Sequence, residues 1–310
     1  MSTATMNPLS VFHQKTAGLP HDRLVAEVES CVRDLVTQRG LPSDLADAVM
    51  YAGLGPGKRV RPTLVVRSYE AVTGPIDSLV DSPLQFSGAA IEMVHAFSLV
   101  HDDLPAMDDD DLRRGRPTLH KYTNEAMAIL AGDALLSLAV EMLATGVADP
   151  ALSGRLIREL VVGTNDMIAG QVYDTFPERD DHLPGIDRLV RVHRNKTGAL
   201  LRASARMGGL CAGADAEQLE ALTAYADAIG LMFQVVDDLL DVTSDTEALG
   251  KATQKDAAAG KLTYPGLMGV DGAEAEVERL RAEAHSALLS LGEPAAALRG
   301  FADDLAVRRK

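Results

Sequence analysis

The chain has 310 residues, 46% of which are hydrophobic, and a formal net charge of −15 at pH 7. This length supports one large hydrophobic core or two smaller ones, and the negative charge argues against a nucleic-acid-binding protein. Aromatic residues make up only 4%, Trp is absent, and β-branched residues do not alternate with polar ones. The sequence therefore predicts an all-α fold.

Membrane-spanning, secreted and disulfide-bonded classes are also disfavoured. No uninterrupted apolar run reaches about 18 residues, so no membrane span is predicted. The first 20 residues lack the basic start and apolar core of a secretory signal. Cys31 and Cys211 match no CxxC motif and no metal-binding spacing. A reduced, cytoplasmic protein is therefore expected.

The N-terminal part is predicted to hold two helices. Residues 1–20 are expected to be loosely ordered, and 21–310 to form one domain. A first helix is predicted over 21–38, where apolar residues recur every three to four positions and a glycine and a proline follow. Ser43 is predicted to cap a short helix that runs to about Gly53.

A turn rich in Gly and Pro, residues 53–59, brings basic side chains to the start of a helix predicted to end near Thr73. Helix N-termini present unpaired N–H groups and the positive end of the helix dipole. Together with Lys58 and Arg61, such an N-terminus would bind a phosphate group. The spacing is not that of a P-loop, and a basic surface turn fits the same residues equally well.

The next helix is predicted to begin after Ser82, at Pro83, and to end at Asp103. His95 lies seven residues before Asp102, so the two residues are only about 20° apart around the helix axis. His95 is therefore a candidate for a site at the acidic end of this helix. A histidine that is simply part of the core fits its position equally well.

Six aspartates occupy the ten residues 102–111, immediately after this apolar helix. Carboxylates at this density repel one another unless a cation binds them, and all-oxygen ligand sets suit Mg²⁺. On an unbroken helix Asp102 and Asp108 would lie about 240° apart. Pro105 disfavours an unbroken helix, and a bulge there would return Asp108 to the side of Asp102. A solvated acidic loop is the alternative.

Arginines 113, 114 and 116 directly follow the aspartates. Their planar guanidinium groups suit bidentate contacts with phosphate. Neutralisation of neighbouring aspartates is the alternative, above all for Arg116.

Apolar periodicity predicts five further helices, over residues 123–145, 149–170, 186–195, 199–212 and 216–241. Thr123 is expected to cap the first of them. Lys196 and Thr197 lie at the break between the third and the fourth.

The last of these helices carries a second acidic group, Asp237, Asp238 and Asp241, within one arc of about 100°. Gln234 faces the same side. Two helix-end carboxylate clusters that face each other would hold several Mg²⁺ ions around a diphosphate.

A polar loop is predicted over residues 245–265, where Lys251 and Lys261 each follow a glycine. Flexible glycines beside basic side chains suit a lid over a charged ligand, although an ordinary exposed loop fits as well. Two more helices and the basic tail 308–310 complete the chain.

These motifs, in this order, resemble those of the short-chain trans-prenyl diphosphate synthases. Residues 102–108 and 113–115 match the DDxxxxD motif and the RRG that follows it, and 237–241 match the DDxxD motif. Residues 56–62 are similar to the GGKRxRP segment, with Pro56 in place of a glycine. The KT, FQ, GK and KxTYP segments correspond to residues 196–197, 233–234, 250–251 and 261–265.

The resemblance implies an all-α fold of about 10–12 helices around a deep central cavity, usually in a homodimer. It implies head-to-tail condensation of isopentenyl diphosphate with an allylic diphosphate, dimethylallyl or geranyl. The implied magnesium ligands, for about three ions per active site, are Asp102, Asp103, Asp108, Asp237, Asp238 and Asp241.

The same resemblance implies a role for each basic or polar candidate. The side chains implied to bind the substrates' diphosphates are Lys58, Arg61, His95, Arg113, Arg114, Lys196, Lys251 and Lys261. Among these, Lys58, Arg61, His95 and Arg114 would seat isopentenyl diphosphate. Thr197 and Gln234 would act with Lys196 in catalysis by stabilising the allylic cation.

Product length is expected to depend on Phe97. In the family, a bulky residue five positions before the first aspartate shortens the product, which favours farnesyl diphosphate here over the alternative, geranylgeranyl diphosphate. Two other classes are less well matched. A terpene cyclase usually carries a different second metal motif, and a non-catalytic subunit usually lacks one aspartate motif, whereas this chain has both.

Overall fold

A computed structural model describes residues 18–180, 182–247 and 262–308. These residues form twelve α-helices, one short β-hairpin and three 3₁₀ turns, so the all-α prediction is confirmed. The first six helices are α1 (His21–Arg39), α2 (Ser43–Gly53), α3 (Val60–Thr73), α4 (Pro83–Asp102), α5 (Leu119–Tyr122) and α6 (Glu125–Gly146). They are followed by α7 (Pro150–Thr175), α8 (Gly185–Lys196), α9 (Gly198–Cys211), α10 (Ala216–Glu247), α11 (Tyr264–Ala287) and α12 (Ala296–Ala306). The hairpin pairs β1 (Leu112–Arg113) with β2 (Arg116–Pro117) in antiparallel register, and the turns are Pro177–Asp180, Leu289–Leu291 and Glu293–Ala295.

Local capping chemistry explains where several helices begin and end. Ser82 caps α4 as predicted: its hydroxyl accepts the N–H of Gln85 at 3.2 Å, and Pro83 takes the first helical position. Gly40 ends α1 in the left-handed conformation, with φ of 66°. Ser43 is the first residue of α2 rather than its cap.

The cap predicted at Thr123 is wrong by one residue. Asn124 caps α6, because its extended backbone lets its side-chain oxygen accept the N–H of Met127 at 2.9 Å. The Thr123 hydroxyl instead donates to the carbonyl of Leu119 at 2.8 Å, at the end of α5.

Helix α10 extends six residues beyond the predicted end at Asp241 and reaches Glu247. No glycine or proline follows Asp241 before Gly250, so nothing local ends the helix there. The first three residues of the polar loop predicted over 245–265 are therefore helical, and residues 248–261 lie outside the described part of the chain.

Backbone packing divides the chain into two compact units. The first unit contains residues 18–164 and 203–214. Its central helix is α4, which packs against α1, α3 and α6 and buries 13 of its 20 residues. That the whole of 21–310 forms one domain stays a prediction.

The second unit contains the described residues of 165–202 and 215–308. Here α10 packs against α11 and α12. The Tyr225 hydroxyl of α10, completely buried, donates to the carbonyl of Leu298 in α12 at 2.7 Å. This bond satisfies a polar group that would otherwise destabilise the apolar interior.

Among the described residues, two helical stretches are long and apolar enough to span a bilayer: Glu125–Gly146, whose apolar stretch is 44% buried, and Ala216–Val242, whose apolar stretch is 61% buried. Buried core helices have the same composition. The absence of a membrane span therefore stays a prediction.

Gly208 of α9 allows a close helix contact inside the first unit. A Cβ at this position would lie 2.1 Å from the carbonyl oxygen of Val65 in α3 and 2.9 Å from the Cβ of Ser68. We expect Gly208→Ala to lower the free energy of unfolding by about 2 kcal/mol, because the two backbones must move apart.

The matched control is Gly154→Ala, at a helical position with no atom within 4 Å of the added methyl group. This change should raise the free energy of unfolding by about 0.5–1 kcal/mol, since alanine restricts the unfolded chain more than glycine does. Urea unfolding of both variants measures the difference. Equal stability of the two would show that α3 and α9 do not approach each other as described.

Candidate functional site

A cluster of basic side chains lies in the first unit, where the N-terminus of α3 meets α4. We call Arg61, His95 and Arg114, together with the exposed Lys58 of the adjoining turn, the basic seat. Burial lowers the pKa of His95 well below its usual value, and the nearby charges of Arg61 and Arg114 lower it further. His95 is therefore neutral at physiological pH and can both donate and accept a hydrogen bond.

The β-hairpin places Arg114 in this cluster. Arg114 and Gly115 form the two-residue loop of the hairpin. Their φ angles of 53° and 75° are typical of the tight turns in such loops. The Arg114 guanidinium donates to the carbonyl of Pro56 at 2.6 Å. Gly57 leaves room for it, because a Cβ there would lie 2.3 Å from Nη1 of Arg114. The RRG and GGKRxRP-like segments are thus joined by a direct contact.

The seat holds more positive than negative charge. Burial lowers the pKa of Arg61 to about 10, an effect that the charge of Glu92 opposes. The Nε of Arg61 is buried and has no hydrogen-bond partner among the described residues. A buried donor without an acceptor is costly, and an anion bound at this point would satisfy it.

The first aspartate group confirms the predicted bulge at Pro105. After α4 ends, the chain turns back so that the N–H of Asp108 donates to the carbonyl of Asp102 at 2.8 Å. The N–H of Met107 likewise donates to Leu104 at 2.8 Å. Asp102 and Asp108 are thus brought next to each other although they are six residues apart.

Asp103 has a different environment from these two aspartates. It is 3% exposed and accepts a hydrogen bond of 2.7 Å from Nε of Arg113. Burial raises its pKa, while the Arg113 guanidinium opposes the shift. Asp103 therefore orients Arg113, and both line a cavity of about 70 Å³ together with Pro56 and Arg114.

The second aspartate group lies in the second unit and contacts protein groups. Asp237 forms an ion pair of 2.9 Å with Arg308, whose guanidinium also lies 5.3 Å from the ring centre of Phe233. Asp238 accepts the N–H of Tyr264, the first residue of α11, at 2.9 Å. The start of the basic C-terminal tail therefore reaches this group.

The break between α8 and α9 brings its predicted residues together with α7 and α10. The Thr197 hydroxyl donates to the side-chain oxygen of Gln234 at 2.6 Å. The Lys196 ammonium donates to Asp174 at 2.6 Å. Asp174, one residue before the end of α7, is a site candidate to which the sequence assigned no role.

Lys251 and Lys261 lie outside the described residues. No group of three or more His, Cys, Asp or Glu side chains in 18–180, 182–247 and 262–308 forms a ready-made metal site. The carboxylate oxygens of the two aspartate groups nevertheless suit a hard cation, with a diphosphate as a further ligand.

Two residues of the basic region were missed by sequence reasoning. The sequence assigns no role to Arg59, between Lys58 and Arg61, or to Glu92. Glu92 did carry a signal, because it is a lone acid in the apolar part of α4 and so requires a partner.

Comparison with known proteins shows similarity along most of the chain. The model of the polyprenyl synthetase family matches residues 42–287. Geranylgeranyl pyrophosphate synthase 9, chloroplastic, from Arabidopsis thaliana is 45% identical over 262 residues, which are 83% of this chain and 71% of that protein. Among solved structures, the FPP/GFPP synthase from Zymomonas mobilis has a TM-score of 0.78 and 33% identity, covering 92% of this chain and 98% of its own. The geranylgeranyl pyrophosphate synthetase from Pyrococcus horikoshii has a TM-score of 0.79 and 29% identity, covering 93% and 99%.

His193, three residues before Lys196, should make stability depend on pH. Its ring stacks on Tyr264 with centroids 5.8 Å apart, and burial lowers its pKa from 6.5 to about 4. Above about pH 6.5 the His193 ring is neutral in both the folded and the unfolded protein. Between about pH 6.5 and 4 it takes up a proton only in the unfolded protein. Folding is therefore weakened as pH falls through this window, by about 3 kcal/mol at most.

His193→Phe removes this titration and keeps an aromatic ring against Tyr264. Its free energy of unfolding, measured with urea between about pH 7 and 4.5, should fall less steeply than that of the wild type. Parallel pH profiles for the two proteins would contradict the buried, neutral state of His193.

Proposed function

The chain belongs to the polyprenyl synthetase family, and from that premise we propose that it condenses isopentenyl diphosphate with allylic diphosphates as far as geranylgeranyl diphosphate. It is a prenyltransferase of isoprenoid biosynthesis. The observation that carries the proposal is the basic seat at the start of α3, beside an α4 that ends in the first aspartate group.

The proposal assigns isopentenyl diphosphate to the basic seat. Its support is the Nε of Arg61, which has no hydrogen-bond partner within the described parts of the chain, the neighbouring charge of Arg114, and the neutral ring of His95. A diphosphate would supply acceptors for these donors and balance the charge of the guanidinium groups.

Magnesium is assigned to the aspartate groups, with Asp102, Asp108 and Asp237 as ligands and Asp241 in support. Bound Mg²⁺ would neutralise the allylic diphosphate and make it a better leaving group. The juxtaposition of Asp102 and Asp108 across the bulge supports this assignment. Arg308 would compete with a cation for Asp237. The expected number of ions stays a prediction.

The remaining predicted residues would act on the allylic substrate. Arg113, held by Asp103, and Lys196, held by Asp174, would bind the departing diphosphate. The bond between the allylic carbon and the diphosphate oxygen breaks, which leaves an allylic cation. The double bond of isopentenyl diphosphate attacks this cation, and the new cation that forms loses a proton to the released diphosphate. The paired oxygens of Thr197 and Gln234 would stabilise the allylic cation.

The relatives favour geranylgeranyl over farnesyl diphosphate as product, contrary to the preference drawn from Phe97. Plant geranylgeranyl synthases of 42–46% identity are among the similar proteins. Phe97 is buried on α4, and its ring lies edge-on to that of His101, with centroids 5.0 Å apart. His101 in turn lies 3.2 Å from the carbonyl of Ile129 in α6. This packing is that of a core residue.

Farnesyl diphosphate remains the second candidate, because Phe97 does occupy the position five residues before Asp102. If Phe97 limited the product, Phe97→Ala would lengthen it. If Phe97 is a core residue, the change lowers stability by about 3–5 kcal/mol and leaves product length unaltered.

The proposal includes a homodimer. On α6, Ile129 and Leu130 are 45% and 56% exposed, and on the first part of α7, Val161 and Val162 are 39% and 49% exposed. Large apolar side chains that are exposed in this way are typical of surfaces that another subunit covers. Cytoplasmic location stays a prediction.

The direct test incubates the chain with isopentenyl and dimethylallyl diphosphates and Mg²⁺, followed by chromatography of the dephosphorylated products. Geranylgeraniol should dominate. Asp102→Asn should lower kcat by about a hundredfold or more, since a metal contact contributes several kcal/mol to the transition state.

The matched control is Asp111→Asn in the same acidic run. Its side chain is 72% exposed and forms an ion pair of 2.9 Å with Lys121. This exposed pair contributes little, so kcat should stay within about twofold of the wild type. Equal losses in both variants, or no consumption of isopentenyl diphosphate by the wild type, would refute the proposal.

A further inference from the structure

Arg59 lies between two residues of the basic seat but points away from solvent. Its side chain is 4% exposed, whereas Lys58 is exposed at the surface. Its backbone is left-handed, with φ of 47° and ψ of 41°, a conformation that side-chain-bearing residues rarely adopt. Such strain persists only where surrounding contacts hold it, and it often marks functional sites.

Three hydrogen bonds hold the Arg59 guanidinium inside the first unit. Nη1 donates to Glu92 of α4 at 2.9 Å, and Nη2 donates to Glu29 of α1 at 2.8 Å. Nη2 also donates to the carbonyl of Gly55 in its own turn at 2.7 Å. One side chain therefore ties the basic turn to two helices of the core.

Glu92 connects the buried Arg59 side chain to the basic seat. It is 5% exposed and lies one helical turn before His95 on α4. Its carboxylate also opposes the lowered pKa of Arg61 and of Arg114. A single buried carboxylate thus faces three guanidinium groups, and Arg59 is the one that bonds to it directly.

The contacts of Arg59 also determine the direction of the neighbouring basic side chains. Lys58 and Arg61 flank Arg59, so the direction of both depends on how the backbone of residues 55–61 is fixed. A Cβ at Gly57 would lie 3.0 Å from Nη1 of Arg59 and 2.3 Å from Nη1 of Arg114. Arg59 and Arg114 therefore hold the same turn from two sides.

We infer that Arg59 is a positioning residue of the isopentenyl diphosphate site, with Glu92 as its anchor. The inference rests on the proposed function, because it needs the basic seat to bind that substrate. Arg59 does not touch the diphosphate; it fixes the turn from which Lys58 and Arg61 reach it. Lysine cannot replace it, since the three donors of an ammonium sit on one nitrogen and cannot span acceptors that Nη1 and Nη2 of the guanidinium reach separately.

The test is steady-state kinetics of Arg59→Lys with each substrate varied in turn. The KM for isopentenyl diphosphate should rise about tenfold, the equivalent of about 1.4 kcal/mol. The KM for the allylic substrate should change less than about twofold, because its proposed residues lie elsewhere. Glu92→Gln, which keeps the shape of the anchor but removes its charge, should raise the KM for isopentenyl diphosphate about threefold.

Arg67→Lys is the matched control. Arg67 is a buried arginine within α3, which donates to Glu70 at 2.6 Å and to the carbonyl of Leu19 at 2.9 Å, away from the seat. Arg67→Lys and Arg59→Lys should both lower the thermal midpoint of unfolding. Arg67→Lys, however, should change neither the KM for isopentenyl diphosphate nor that for the allylic substrate.

The outcomes separate this inference from the proposed function. A wild type that consumes no isopentenyl diphosphate contradicts the proposed function itself. An active wild type with an unchanged KM in Arg59→Lys and Glu92→Gln overturns the inference alone. An equal rise of that KM in Arg67→Lys also overturns it, because the effect would then follow from general destabilisation.

Discussion

The burial of positive charge beside α4 is the constraint on which this structure depends. Arg59, Arg61 and Arg114 share the field of one buried carboxylate, Glu92. Neighbouring like charges in a partly desolvated place are unfavourable unless a further anion balances them. The chain as a whole carries a net charge of −15, so attraction of an anion to this place has to come from local charge and not from the overall field.

The aspartates of the two groups are not equivalent. In the first group, Asp103 is buried and orients Arg113, whereas the backbone bulge brings Asp108 next to Asp102. In the second group, the Asp238 carboxylate accepts a hydrogen bond from the N–H of Tyr264, the first residue of α11. In each motif, one of the two adjacent aspartates therefore bonds to a protein group and holds the local structure.

Much of the architecture could be predicted from local signals. The serine and proline at 82–83 specified the start of α4, and Pro105 predicted the bulge that the backbone shows. The prediction failed where two neighbouring residues compete: Thr123 and Asn124 can both cap a helix, and contacts of Thr123 with the end of α5 decided between them. Helix α10 continued past Asp241 because no helix-breaking residue lies between Asp241 and Gly250.

The site was predictable in its residue types but not in its side-chain directions. Arg59 and Arg61 are alike in sequence, and only the left-handed backbone at 59 turns one of them towards Glu92. Product length was least accessible, because the effect of Phe97 depends on which neighbours its ring packs against.

The most direct measurement of the central claim is calorimetric titration of isopentenyl diphosphate into the protein without any divalent metal. A seat formed by guanidinium groups and a neutral histidine needs no cation to attract a diphosphate. The account predicts saturable binding in the presence of a chelator, weakened as ionic strength rises. Binding that appears only after Mg²⁺ is added would contradict it.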